Sequence, residues 1–195
     1  NEAGMGSAPN VAATADVSHP VKQGLIQTLG VFSDTLVICT CTAFIILFSG
    51  VPLGGEANGV QLTQMALDNE IGSGGSTYVA IAILFFAFSS IIGNYYYGEA
   101  NLRYITHNKI VMTIFRLMTG AMVMFGALAS LDLAWSLADV CMGLMTICNL
   151  IAIVLLGKYA FRLLDDYLEQ KSQGIKNPTF TKDKMKDIEQ DIECW

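Results

Sequence analysis

Ser89 and Ser90 stand side by side in the apolar stretch Phe85 to Glu99, FFAFSSIIGNYYYGE, which with its upstream neighbours is long enough to cross a bilayer. In hydrocarbon an unsatisfied polar group costs several kcal/mol, so a helix here is expected to turn its hydroxyls toward protein or a cavity. Residues four apart share a helix face, which puts Phe86, Ser90 and Asn94 on one stripe with Ser89 on its flank. The stripe offers the Phe86 backbone carbonyl, two hydroxyls and an amide. These hard neutral groups suit a small alkali cation or the polar end of a small solute. A second reading is that serine, being small, lets membrane helices pack closely. The residues by themselves leave both readings open.

The elements that must position this stripe are membrane helices. Of the 195 residues, 53% are hydrophobic and 14% charged, and the mean hydropathy is +0.48, the composition of a membrane protein; with helical spans the fold class expected is an all-α membrane protein. Four spans are expected, at about 21–50, 77–98, 109–128 and 136–157. Residues 1–20, beginning NEAGMGSAPN, read as a loop with a helical turn near Val11 to Ala15, closed by His19-Pro20, because a residue before proline is biased out of the helical region. Between the first two spans lies a glycine-rich connection holding the short amphipathic piece LTQMALDNEI. Residues 158–195 form an amphipathic tail in which Thr181 can cap a last helix. There Met185, Ile188, Ile192 and Trp195 recur at helical spacing, a stripe expected to dock on the rest of the protein.

Charge sets the orientation. Lys22, Arg103, Lys109, Lys158 and Arg162 flank one set of helix ends, and the opposite connections carry neither Lys nor Arg. By the positive-inside rule the basic ends, the first loop and the tail are cytoplasmic in a multi-pass protein of the cytoplasmic membrane. The formal net charge of -6 comes with no basic patch of the kind that binds nucleic acid. The five cysteines (Cys39, Cys41, Cys141, Cys148, Cys194) show no CxxC pairing and read as small reduced core residues.

The remaining polar residues do not assemble into an enzyme. Asp34 and Arg116 both lie a few turns inside spans, where an unpaired charge is costly, and are expected to form a buried ion pair, either structural or gate-like. Asp139 lies near the start of its span and reads as a solvated or helix-start carboxylate. No second carboxylate, histidine or nucleophile shares a face with either acid, and no metal-ligand spacing of His or Cys occurs. Gly4 and Gly6 suggest a phosphate-cradling loop, but the lysine and the strand-to-helix context of a P-loop are missing. That segment is expected to make a tight connection into the first span.

Four motifs in order, NEAGMGSAPN at 1–10, HPVKQGLIQTLGVFSDT at 19–35, FAFSSIIGNYYYGE at 86–99 and WSLADVCMGLMTICNLIAI at 135–153, make the chain resemble the alanine or glycine:cation symporters. These are sodium-coupled carriers of the amino acid-polyamine-organocation superfamily. The resemblance implies a LeuT-type fold of two inverted five-helix repeats, with substrate and ions at the midplane. This chain, which opens at Asn1 with no methionine or signal peptide, would be the C-terminal portion supplying core helices seven to ten. The unwound helices one and six would precede Asn1. In that fold the eighth core helix completes a sodium site with a carbonyl and two hydroxyls, which carries over to Phe86, Ser89 and Ser90. It also lends side chains to the substrate pocket, which carries over to Ser90 and Asn94.

The function expected is sodium-coupled symport of a small neutral amino acid, alanine or glycine, with Na+ as the coupling ion and the bilayer and the upstream helices as partners. Two alternatives belong to other classes: an ion channel, or a non-transporting membrane assembly subunit. A channel needs pore-lining polar residues on several helices, and only one helix shows a clear stripe. Sodium-dependent uptake of labelled alanine separates the carrier from both alternatives.

Overall fold

The computed structural model describes residues 2–55, 57 and 59–187, in which the regular structure is helical, with no strand among the described residues. The helices are α1 (Ser7–Ala12), α2 (Pro20–Ser33), α3 (Thr40–Phe48), α4 (Val60–Ile71), α5 (Gly74–Ile105), α6 (Lys109–Leu128) and α7 (Leu131–Ser172). A π-helical segment, Asp34–Cys39, joins α2 to α3, so Pro20–Phe48 runs as one span. Four helical stretches are long and apolar enough to cross a membrane: Pro20–Phe48, Gly74–Ile105, Lys109–Leu128 and Leu131–Ser172. The apolar side chains of these spans stay largely exposed on the chain, as expected of surfaces that meet lipid or other helices rather than a water-excluding core. The chain divides into two compact units, Val31–Phe125 and Glu2–Gly30 with Gly126–Trp195.

In the first unit the glycine-rich connection folds tightly. Gly50 takes a left-handed φ of 70° just after α3, and Asn69 on α4 donates to the Ser49 carbonyl at 2.8 Å, tying α4 to the end of α3. The corner into α5 is closer still, because a Cβ on Gly75 would lie 2.6 Å from the Leu67 carbonyl carbon. Asp68 takes hydrogen bonds from the Ser76 hydroxyl and, at 2.7 Å, from the Ser76 amide. These hold its carboxyl below the usual carboxylate range while satisfying an orphan N–H of the first turn of α5. Asn108 caps α6, its side chain accepting from Ile110 N at 2.9 Å.

In the second unit the tail closes over the start of α2. His19 is fully buried between Tyr167 and Phe180, with ring centroids 5.1 and 5.7 Å away in edge-on geometry. Its Nδ1 accepts from Val21 N at 3.2 Å, which leaves the proton on Nε2 to donate to Asp166 at 3.3 Å. Phe180 N donates to Ser18 O at 2.9 Å, and Gln170 brackets Thr179, donating to its carbonyl and accepting from its amide at 2.9 and 3.0 Å. Arg162 pairs with Asp187 at 2.7 Å and holds that carboxyl below its ordinary range. Met185 is buried as its place in the tail stripe requires; Ile188, Ile192 and Trp195 lie outside the described residues, as does Asn1 at the head of the first motif.

Several expectations are corrected. The helical turn expected at Val11 begins at Ser7, because Pro9 falls in the first turn, where a missing N–H costs nothing. α5 continues past Glu99 to Ile105, stabilised by a Glu99–Arg103 pair at i,i+4. α7 starts at Leu131 with Ser130 as its cap, so Asp132 is its first-turn acid and Asp139 lies two turns in. Among the described residues Thr181 precedes a 3-10 turn, Lys182–Met185, with no side-chain cap hydrogen bond, and the rest of the expected last helix lies outside them. The described cysteines are free but exposed, since the spans that carry them present their apolar faces outward.

Candidate functional site

The stripe read from the sequence lies on α5 as a continuous helix, so its residues stand on successive turns of one face. Ser89 Oγ donates to the Phe86 carbonyl at 2.9 Å, which answers the cost of a hydroxyl in an apolar span by back-bonding and keeps two oxygens side by side. Such neighbouring oxygens can enter the coordination sphere of one hard cation. Phe86, Ser89, Ser90 and Asn94 are all exposed on the chain. Among the described residues, neither the Ser90 hydroxyl nor the Asn94 amide has a hydrogen-bond partner. The helix thus presents one backbone carbonyl, two hydroxyls and one amide on an open face. A desolvated cation needs more oxygens than this helix offers, so a complete site requires a second element.

Arg116 is paired with Glu99. Arg116 Nη2 donates to Glu99 Oε1 at 3.0 Å, and its Nε donates to the Tyr95 hydroxyl at 3.0 Å. Arg103 adds two bonds to the same oxygen, at 2.6 and 3.1 Å. Helices α5 and α6 can approach this closely because residue 98 is glycine: a Cβ there would sit 2.6 Å from the ring of Phe115. Asp34 opens the π-helical segment. The i,i+4 spacing of Glu99 and Arg103 is a readable signal for half of this cluster. Its other half depends on the close pairing of two helices, which no local pattern encodes.

The NEAGMGSAPN segment is anchored to α7. Asn149 Nδ2 donates to the Gly4 carbonyl at 2.8 Å, and Gly6, at φ 109°, lies so near that an added Cβ would come within 3.1 Å of both Asn149 Cβ and Met145 Cγ. A side chain at residue 6 is strained by the backbone conformation and would press Asn149 and Met145 aside by a few tenths of an ångström.

The sodium:alanine symporter family matches the chain over residues 1–182. The chain belongs to that family. It is a multi-pass membrane protein, and the family it belongs to is made up of transporters, not enzymes. This family member is 54% identical over its whole length to the "Probable sodium/glutamine symporter GlnT" of Bacillus subtilis. It is 52% identical to the "Amino-acid carrier protein AlsT" of the same organism over 92% of the chain. The "Sodium/alanine symporter AgcS" of Methanococcus maripaludis matches at 39% over 91% of the chain. The chain spans about 40% of the length of these curated relatives. No solved structure shows a significant match to it.

Proposed function

We propose that the chain is the part of a sodium-coupled amino-acid symporter that contributes the α5 face to the ion and substrate sites. Membership of the sodium:alanine symporter family carries this reading. In it, the Phe86 carbonyl and the Ser89 and Ser90 hydroxyls ligate the transported sodium ion, and Ser90 and Asn94 meet the amino acid one turn apart. The open face of α5 supports the assignment, because a site shared with a second element needs ligands exposed to that element, and the Ser89 and Phe86 oxygens keep lone pairs free beside their own hydrogen bond. The fold we propose is LeuT-type, with the four spans as core helices seven to ten and the unwound helices supplied by the rest of the carrier.

The substrate we propose is a small neutral amino acid, alanine or glycine. The name of the 54% identical relative brings in glutamine as a competing substrate, and Asn94, with an amide at the stripe's end, is the side chain that would choose between them. Uptake of labelled alanine by the complete carrier, in sodium and then in potassium medium, is expected to require sodium and to be inhibited by glycine more strongly than by glutamine. Stronger inhibition by glutamine would overturn the substrate, and equal uptake in both media would overturn the coupling.

We further propose that the basic helix ends are cytoplasmic in the inner membrane. Single cysteines introduced as Ala57→Cys and Gln173→Cys in a background freed of native cysteines should differ on intact cells, with only the first reacting with an impermeant reagent. Equal reaction would sink this orientation.

A further inference from the structure

Where α5 gives way to α6, Arg103, Thr106, His107, Lys109, Thr113 and Arg116 line a cavity of about 390 Å³. No carboxylate is among the residues that line it. Glu99 Oε1, behind the cavity, is shared by the two guanidiniums, so one negative charge answers two positive ones. Lys109 adds a third cation whose ammonium has no hydrogen bond or ion pair among the described residues. The hydroxyls divide in their availability. Thr113 spends its proton on the Lys109 carbonyl at 2.9 Å, whereas Thr106 accepts from Asn108 N at 3.2 Å and keeps its proton to donate.

The position narrows the choice of anion. The cavity opens at the short connection between two helices long and apolar enough to cross a membrane, and such a connection is expected on the headgroup side of a bilayer. Immediately beside it, Tyr104, Ile105 and Ile110 are 82%, 78% and 69% exposed. A cationic pocket rimmed by open apolar side chains matches a ligand that is anionic at one end and hydrocarbon at the other. Guanidinium groups bind phosphate oxygens in a fork, and basic pockets between membrane helices receive lipid headgroups. We propose that this cavity binds a phosphate group, and that the phosphate is the headgroup of an anionic phospholipid whose acyl chains lie along Ile105 and Ile110.

Native mass spectrometry of the complete carrier, exchanged into phosphatidylglycerol or phosphatidylcholine, tests this. Phosphatidylglycerol should be retained in preference, and a large excess of inorganic phosphate should fail to displace it. Lys109→Gln and Arg103→Gln should each weaken retention about fivefold, as expected for one basic side chain near an anionic lipid. Lys109→Arg should retain the lipid. Because Arg103 also bonds Glu99, the Lys109 pair decides the matter should Arg103→Gln fail to fold. Equal retention of the two lipids, or unchanged retention in Lys109→Gln, would overturn the site; displacement of the lipid by inorganic phosphate would show a free-anion site and overturn the lipid assignment.

Discussion

Glu99→Gln is expected to reduce the yield of folded carrier severalfold, more than any other single polar substitution on α5. The Glu99 side chain is only 10% exposed while one of its oxygens takes bonds from Arg103 and Arg116. An amide keeps the shape but removes the charge, and two guanidiniums are left facing each other across a site where α5 and α6 are in contact. Arg103→Gln should be mild, because an i,i+4 pair whose arginine side chain is 64% exposed is screened by solvent. Arg116→Gln should fall between the two. Glu99→Gln combined with Arg116→Gln should lower the yield less than the sum of the single effects, since each variant alone strands the other's charge. Additive losses, read as monodisperse protein recovered from the membrane, would show that the two helices are held together without this pair. The same cycle run on Asp34 and Arg116 measures the coupling that the sequence suggests; coupling at Glu99 is the outcome this structure implies.

The second large effect lies at the proposed ion site. Ser89→Ala and Ser90→Ala should each raise the sodium concentration for half-maximal uptake about tenfold, as removal of one neutral group from a charged centre costs. Alanine preserves the helix, so folded yield should stay near that of the natural protein. Thr should be tolerated at both positions because it keeps the hydroxyl and its bond back to the preceding turn. Asn94→Ala should act differently, shifting half-saturation for the amino acid or the order of preferred amino acids while leaving the sodium dependence in place. If both serine variants show the natural sodium dependence, the hydroxyls only permit packing and the ion is bound elsewhere.

These two sites illustrate what is legible in the residues alone. That Phe86, Ser90 and Asn94 share one helix face depends only on the 3.6-residue period and on helix continuity, so local pattern suffices to place it, as it does for the four apolar spans and the short amphipathic α4. The proline after His19 marks the start of the first span for the same local reason. What stays hidden depends on distant residues meeting. Glu99 answers Arg116 across 17 residues and His19 answers Asp166 across 147, and neither spacing has a periodic signature. The π-helical segment Asp34–Cys39 is also hidden, since one extra residue in a turn leaves an apolar run looking uniform. Its trace is the Thr40 hydroxyl, which reaches back five residues to the Thr35 carbonyl rather than four. The length of α5 lies between these cases: its final turns are readable from the Glu99–Arg103 spacing, but that signal is outweighed by the polar character of residues 99–108.

Coupling between the sodium ion and the amino acid is reciprocal if both bind the same state, so the most direct test drives the cycle from the substrate side. In proteoliposomes of the complete carrier with equal sodium inside and out and no membrane potential, an inward alanine gradient should pull labelled sodium inward. The Ser89→Ala, Ser90→Ala double variant should lose most of that flux at the same sodium concentration. Alanine entry with no accompanying sodium movement would contradict sodium-coupled symport, whatever the family of the chain.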